Sequence, residues 1–241
     1  MDEKIKLLKQ QIAESKKIVF FGGAGVSTES GIPDFRSSEG LYLQETETHM
    51  SAEQMISHTF YKRNPKEFFK YYFENLVFEE AKPNEAHLFL KALEDRGKEV
   101  HVVTQNIDGL HQKAGSSIVH ELHGSVLRNY CTKCHTPYSI SELEMDKDGI
   151  PRCPEDNAIV RPDIVLYEEG LDQNVIQQAI NAIETADMLM IAGTSLIVYP
   201  AAGLINYFNG EHLVAINKTS LRVPEGTLVF EDTISNVFGK L

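Results

Sequence analysis

Several short segments of this 241-residue chain carry side chains that suit nucleotide chemistry. The first is Gly23-Ala24-Gly25, which follows the apolar run 18–21. Small residues let the backbone approach a pyrophosphate, and a helix that follows offers free N–H groups at its positive end. The chain continues through Asp34-Phe35-Arg36, which joins a carboxylate, an aromatic ring and a guanidinium. Because a guanidinium can neutralise phosphate, these residues predict a nucleotide site.

This glycine turn departs from the pattern of hydride-transferring dehydrogenases. That pattern would place a third glycine at position 28, where this chain has Thr28, and an acidic residue at the end of a second strand about 20 residues later. Residues 38–50 do not have the pattern of that strand. Taken alone, Gly-Ala-Gly would equally fit a tight strand-to-helix turn without a ligand.

Polar residues also follow four later predicted strands. Strand 99–103 is followed by Gln105-Asn106-Ile107-Asp108, strand 119–122 by His123, strand 188–192 by Gly193-Thr194-Ser195, and strand 213–216 by Asn217. In open α/β sheets, ligands bind outside the carboxyl ends of the strands. Capping of a helix by Asn106 or Asp108 is the alternative use of those side chains. His123 is a candidate general base near neutral pH.

The elements that must position these residues alternate between strands and helices. Helical spacing of apolar residues predicts helices over 3–16, 65–80, 84–95, 172–185 and 201–208. Further strands are predicted at 18–21 and 163–167, and Val229 and Phe230 are expected to close the sheet. Residues 31–50 are predicted to form a long loop. This alternation predicts an α/β fold with a doubly wound parallel sheet.

Residues 130–161 interrupt this pattern with cysteine, proline, glycine and charged residues. All three cysteines of the chain, Cys131, Cys134 and Cys153, lie here. An odd and clustered set of cysteines favours metal binding over disulfides. We therefore expect a small module inserted into the larger domain.

The composition narrows the class of protein. A formal net charge of -12 makes the chain a poor candidate for nucleic-acid binding, which depends on lysine and arginine. No apolar stretch reaches the roughly 18 residues of a membrane span, and residues 1–17 do not resemble a signal peptide. We expect a cytoplasmic protein that binds neither membranes nor nucleic acid.

Together, these segments resemble the sirtuins, the NAD-dependent protein lysine deacylases, and most of all the short bacterial members. Matching blocks follow in the family's order: GAGVSTESGIPDFRS, TQNIDGLHQKAG, HG, CTKC, RPDIVLYEE, GTSLIVYPA and IN. The resemblance implies a Rossmann-like NAD-binding part at about 1–37, 84–125 and 161–241. It also implies a small domain at about 38–80 together with a zinc-ribbon module at 126–160. The expected state is a monomer that acts on acetyl-lysine proteins or peptides.

The resemblance also implies roles for individual residues. The acyl oxygen would attack C1′ of the nicotinamide ribose, nicotinamide would leave, and His123, assisted by Asn106, would be catalytic, with free lysine and 2′-O-acyl-ADP-ribose as products. The residues that would bind NAD+ are Gly23, Ala24, Gly25, Thr28, Asp34, Phe35, Arg36, Gln105, Asn106, Ile107, Asp108, His123, Gly193, Thr194, Ser195, Asn217 and Asp232. The residues that would pair with the substrate peptide are Val165, Leu166, Tyr167 and Glu168.

The zinc motif of the family is altered in this chain. The first pair, Cys131 and Cys134, is intact, but Asp156 stands where the fourth thiolate after Cys153 is expected. Carboxylate oxygen can bind zinc, so the predicted ligands are these three cysteines and Asp156. His135 is the rival fourth ligand, and a weak or empty site is the third possibility.

The sequence leaves open which acyl group is removed and which reaction uses NAD+. Relatives that remove succinyl groups carry Tyr-x-x-Arg, whereas this chain has Tyr72-Phe73-Glu74-Asn75. Without that arginine, we expect acetyl or other neutral acyl groups. An ADP-ribosyltransferase that uses the same NAD+, an inactive NAD-sensing module and a zinc-ribbon interaction protein are the alternative functions.

Overall fold

The computed structural model describes residues 1–34 and 50–241. Most of the predicted loop 31–50, including Phe35 and Arg36, lies outside these described residues. The strands in chain order are β1 Lys17–Gly22, β2 Glu99–Thr104, β3 Val119–Glu121, β4 Gly124–Cys131, β5 Pro137–Ser139, β6 Glu144–Met145, β7 Pro151–Arg152, β8 Val160–Ile164, β9 Met188–Ala192, β10 His212–Asn217 and β11 Leu228–Glu231.

Six of these strands form one parallel sheet in the order β11-β10-β9-β1-β2-β3. The apolar residues Ile18 to Phe21 of β1 are fully buried because helices cover both faces of the sheet. The strand order reverses next to β1, since β2 lies on one side of it and β9 on the other. The predicted doubly wound α/β fold is thereby confirmed.

The α-helices of the described residues are α1 Asp2–Glu14, α2 Ala52–Met55, α3 His58–Arg63, α4 Pro65–Asn75, α5 Glu85–Asp95, α6 Leu110–Lys113, α7 Gln173–Glu184 and α8 Ile234–Phe238. Helices α1, α5 and α8 contribute to the hydrophobic core on one face of the sheet, and α7 contributes to the core on the other. The helix predicted at 65–80 ends at Asn75, and the one at 201–208 is a 3-10 helix over Ala201–Tyr207. None of the helices described here is long and apolar enough to cross a bilayer.

A second hydrophobic core lies outside the main sheet. Helices α2 to α4 contribute to it, and the aromatic side chains Phe68, Phe69 and Tyr72 of α4 belong to the same cluster as Val126 of β4 and Leu166. Strands β5, β4 and β8 form a separate antiparallel sheet, and β6 pairs with β7. Residues 124–164 therefore form small sheets of their own.

The strand predicted over 163–167 lies over Val160–Ile164 and belongs to this second sheet. Residues 165–167 leave the ladder because their N–H groups bond elsewhere: Val165 N–H donates to the His123 carbonyl at 2.9 Å and Tyr167 N–H to the Ile56 carbonyl at 3.1 Å. The apolar pattern alone does not show this change of partners.

Candidate functional site

A cavity of about 690 Å³ lies at the carboxyl ends of the parallel strands. The strand ends reach the same level because Gly22 of β1 is in register with both Thr104 of β2 and Ala192 of β9. Asn217 of β10 is paired in the same way with Glu231 of β11. The turns that follow these strands consequently meet around one space.

Two glycine-containing turns pack directly against each other at the centre of this space. Gly25 N–H donates to the Gly193 carbonyl at 2.8 Å. Gly193 has a φ of 58°, and a Cβ there would lie 2.5 Å from the backbone nitrogen of Val26. Only glycine fits such an approach at a positive φ. These glycines therefore serve contact between the turns as well as access to a ligand.

The expected helix after the glycine turn is replaced by two short 3-10 turns, Ala24–Val26 and Thr28–Ser30. The Thr28 hydroxyl donates to the Gly25 carbonyl at 3.1 Å. Asn84, the N-cap of α5, donates its side-chain amide to the Val26 carbonyl at 2.8 Å. Side-chain hydrogen bonds from Thr28 and Asn84, rather than a long helix, thus hold the turn in place.

Ser27 joins the glycine turn to the polar segment after β2. Its hydroxyl, on a fully buried residue, donates to Asp108 Oδ2 at 2.6 Å and accepts from Asn106 Nδ2 at 3.1 Å. Asp108 Oδ1 also accepts from Leu110 N–H at 2.9 Å. The N-cap of α6 is Gly109, and no side chain caps this helix, so the alternative use of Asp108 as a helix cap is not present. Asp108 instead joins Ser27 to the first residue of α6. No hydrophobic period marks Ser27, and only its place inside the glycine turn could have indicated it.

His123 has a defined tautomer. Its Nδ1 lies 2.8 Å from the Gln105 carbonyl, which can only accept a hydrogen bond, so Nδ1 carries the proton. The lone pair is then on Nε2, which has no hydrogen bond to any residue in the described part of the chain. Burial lowers the pKa of His123, and the bond to Gln105 opposes this shift. The imidazole is therefore neutral and able to accept a proton at neutral pH.

Geometry also explains why glycine follows His123. Gly124 has a φ of 77°, and a Cβ at this position would clash with the Asp163 carbonyl of β8. Strand β8 therefore packs closely against the backbone next to the histidine. This packing fixes where the imidazole enters the cavity.

The structure brings the predicted site residues within its described ranges to this one cavity. They are Gly23, Ala24, Gly25, Thr28, Asp34, Gln105, Asn106, Ile107, Asp108, His123, Val165, Leu166, Tyr167, Glu168, Gly193, Thr194, Ser195, Asn217 and Asp232. Several of these side chains are already engaged: Gln105 Nε2 donates to Thr194 Oγ1 at 3.1 Å, and Asp232 accepts from Thr233 N–H at 2.8 Å.

Sequence reasoning missed Lys218, which follows Asn217 and also lines the cavity. Of the lining residues that the structure describes, Lys218 is the one lysine or arginine. A cation beside a predicted ribose-binding residue was the signal that could have identified it.

The four predicted metal ligands also come together. One ligand atom each from Cys131, Cys134, Cys153 and Asp156 lies within 4.8 Å of all the others. The sulfurs of Cys134 and Cys153 are 3.7 Å apart, and Cys131 Sγ is 3.4 Å from Asp156 Oδ1. Tetrahedral zinc with bonds of about 2.3 Å to sulfur and about 2.0 Å to oxygen would set these separations at about 3.8 and 3.5 Å. The donor set therefore fits a zinc ion in both size and chemistry.

The surroundings of these donors agree with that fit. The N–H groups of Lys133 and Cys134 both lie 3.4 Å from Cys131 Sγ and donate to it, as expected around a thiolate ligand. His135, the rival ligand, is exposed and is not part of the four-residue group.

Comparison with known proteins identifies the family of this chain. The Sir2 family profile matches residues 23–200. An NAD-dependent protein deacetylase of Clostridium perfringens (strain 13 / Type A) is 56% identical over 243 residues, which cover 100% of this chain and 99% of the relative. The chain belongs to the Sir2 family. An NAD-dependent protein deacetylase of Staphylococcus aureus (strain Mu50 / ATCC 700699) is 43% identical over 244 residues, with the same coverage of both chains.

Solved structures support the family and the fold. A Sir2 structure with a p53 peptide and NAD+ has a TM-score of 0.85 at 34% identity and covers 98% of this chain and 96% of its own. A mutant Sir2 with a deacetylated p53 peptide and 3′-O-acetyl ADP ribose has a TM-score of 0.88 at 33% identity and the same coverage. The resemblance to sirtuins is thereby confirmed.

Proposed function

We propose that this Sir2-family protein is an NAD+-dependent protein lysine deacetylase that releases nicotinamide and forms 2′-O-acetyl-ADP-ribose. The observation that carries the proposal is the neutral His123, whose Nε2 is available beside the strand-end turns of one cavity. Relatives with this activity in their names match the whole chain.

The described residues can supply what this reaction needs. Breaking the bond between nicotinamide and ribose develops positive charge at C1′, so the site needs a defined position and a dry pocket rather than a strong nucleophile. Asp108 and Asn106 are held by Ser27 at the cavity wall, where they would orient the amide and the ribose. His123 Nε2 would take a proton from a ribose hydroxyl. Gly23 to Gly25, Thr194, Ser195 and Asn217 would contact phosphates and ribose.

The acyl group would enter an apolar part of the cavity. Ile56, Leu76, Ile107 and Leu166 line it, together with the neutral Asn75. Asn75 stands where succinyl-removing relatives carry arginine, and Glu74 is exposed. A carboxylate-bearing acyl group would lack a cation here, which supports a preference for acetyl and other neutral groups.

We also propose that Cys131, Cys134, Cys153 and Asp156 hold a structural zinc ion. The ion would crosslink the ends of the module, which contributes little apolar core of its own. The proposal of Asp156 as fourth ligand rests on the 3.4 Å between its Oδ1 and Cys131 Sγ and on its place in the four-residue group. A cytoplasmic location, a monomeric state and the absence of nucleic-acid binding stay predictions.

The test is to incubate the protein with NAD+ and an acetyl-lysine peptide and to quantify all products by mass spectrometry. Deacetylated peptide, nicotinamide and 2′-O-acetyl-ADP-ribose in equal amounts are expected. Peptide that gains ADP-ribose would instead support the transferase alternative. Nicotinamide that forms at the same rate without peptide would contradict both. An unmodified lysine peptide of the same sequence is the control.

A further inference from the structure

An ion pair between the buried Arg161 and the partly buried Glu169 holds the segment that is proposed to bind substrate. Arg161 of β8 is buried, and its Nη1 and Nη2 donate to the two carboxylate oxygens of Glu169 at 2.8 and 3.0 Å. Nη2 also donates to the Ile164 carbonyl at 2.9 Å. Paired bonds of this kind are strong and fix the direction of both groups. We call Arg161 and Glu169 the clasp.

The clasp encloses residues 165–168. Glu169 turns back to accept the N–H of Leu166 at 3.0 Å, while Arg161 holds the carbonyl of Ile164. The two ends of the segment are therefore tied to one another by side chains. The pKa of Glu169 is held down to about 2, against the effect of burial, by its bonds to Arg161, to His58 and to this N–H.

The clasp also joins three parts of the molecule. The guanidinium of Arg161 lies 5.3 Å from the ring centre of Tyr61 in α3 and 5.9 Å from that of Tyr130 in β4. Glu169 accepts from His58 Nδ1 at 2.7 Å. Tyr130 precedes the proposed metal ligand Cys131. Helix α3, the sheet β5-β4-β8 and the segment 165–168 thus share one buried cation.

The same segment reaches the proposed base. Val165 N–H donates to the His123 carbonyl at 2.9 Å, and Tyr167 exchanges backbone hydrogen bonds with Ile56 and His58. A displacement of the segment would therefore change the distance between the cleft wall and the imidazole. Within the described residues, the hydrogen bonds of Arg161 and Glu169 do not include any of the polar segments that follow the parallel strands.

We propose that Arg161 and Glu169 are positioning residues for the acylated peptide and act on peptide binding rather than on NAD+ binding. This inference rests on the proposed deacetylase function. The clasp keeps residues 165–168 in the shape that receives the peptide. It does so through planar, two-pronged bonding, which lysine cannot reproduce.

The variant Arg161→Lys tests this directly because it keeps the charge and most of the side-chain volume. We expect its KM for an acetyl-lysine peptide to rise about three- to tenfold, the effect of a net loss of about one ordinary hydrogen bond. The KM for NAD+ should stay within about twofold. Glu169→Gln keeps the shape of the carboxylate, and we expect the same selective rise for it. Peptide binding measured by fluorescence anisotropy without NAD+ should weaken by the same factor.

Arg128→Lys is the matched control. Arg128 lies on β4 of the same sheet and bonds to Glu121 and Asp163, but it is exposed and does not contact the clasp. Its KM values should be unchanged. An unchanged peptide KM in Arg161→Lys, or an equal rise in both KM values, would overturn the positioning role. If Arg161→Lys does not fold, an unchanged peptide KM in Glu169→Gln overturns it in the same way. A wild type without acetyl-dependent turnover would refute the proposed function instead, while the anisotropy measurement still tests the clasp.

Discussion

Two buried histidines next to the cavity make the stability of the protein sensitive to acid. His87 of α5 and His111 of α6 are almost completely buried, and their ring centres are 4.6 Å apart. Burial lowers the pKa of His87 to about 4 and that of His111 to about 3, where the neighbouring His87 adds to the effect. Neither ring nitrogen of His111 has a hydrogen-bond partner in the described residues.

The sign and size of the effect follow from proton linkage. In the unfolded chain, a histidine has a pKa of about 6.5, so the unfolded state binds more protons than the folded one from about pH 6.5 down to about pH 4 for His87 and to about pH 3 for His111. Stability is therefore full above about pH 6.5 and falls as the pH is lowered through this window. At pH 5, the loss relative to pH 8 is about 2 kcal/mol for each histidine and about 4 kcal/mol for the pair.

The variant His111→Leu removes one of these two titrations without breaking a hydrogen bond. We expect its free energy of unfolding to exceed that of the wild type by about 1 kcal/mol at pH 8, because two unpartnered polar atoms leave the core. At pH 5, the difference should grow by about 2 kcal/mol. The assay is urea-induced unfolding followed by circular dichroism at both pH values.

A core variant that does not titrate provides the control. Ile183→Val, on the opposite face of the sheet, should lower the free energy of unfolding by about 1 kcal/mol equally at both pH values. If the gap between His111→Leu and the wild type is the same at pH 8 and pH 5, the reasoning about the buried pair is refuted.

Three further predictions concern the site and the metal module. Gly193→Ala should lower the free energy of unfolding by more than about 2 kcal/mol in thermal unfolding and should weaken NAD+ binding in calorimetry. The control Gly226→Ala, also at a positive φ but in open space, should lower it by about 1 kcal/mol. Equal losses would contradict the role of contact between the turns. Asp156→Cys should retain zinc at higher chelator concentrations than the wild type in a metal-release assay, since thiolate is the softer ligand, and unchanged retention would exclude Asp156 as a ligand. Because burial lowers the pKa of His123, the acid limb of kcat/KM against pH should lie below about 6.5, and a limb above that value would contradict the buried base.

The parallel sheet could be predicted from the sequence because its strands are short, apolar and regularly separated by helices. Strand β1 shows the reason most clearly, since burial on both faces leaves a continuous apolar run. The polar residues after each strand were predictable for a related reason. Parallel strands bring their carboxyl ends to one edge of the sheet, so Gln105, His123 and Asn217, which follow three of these strands, were expected to lie close together.

The rest depends on contacts that have no local pattern. The clasp requires Arg161 to meet Glu169 after the chain turns. Strand β8 ends at Ile164 rather than at the predicted 167 because Val165 and Tyr167 bond to His123 and Ile56. Ser27 is linked to Asp108 across 81 residues. Only the folded chain shows such pairings, because single-sequence periodicity reports burial and not the identity of distant partners.

The most direct measurement of the central claim separates the two halves of the reaction in His123→Ala. With NAD+ and an acetyl-lysine peptide, the variant should still exchange labelled nicotinamide into NAD+, because nicotinamide departure does not require the base. It should form almost no deacetylated peptide or 2′-O-acetyl-ADP-ribose, while the wild type forms both in equal amounts. Deacetylation by His123→Ala at the wild-type rate would contradict the assignment of His123 as the base.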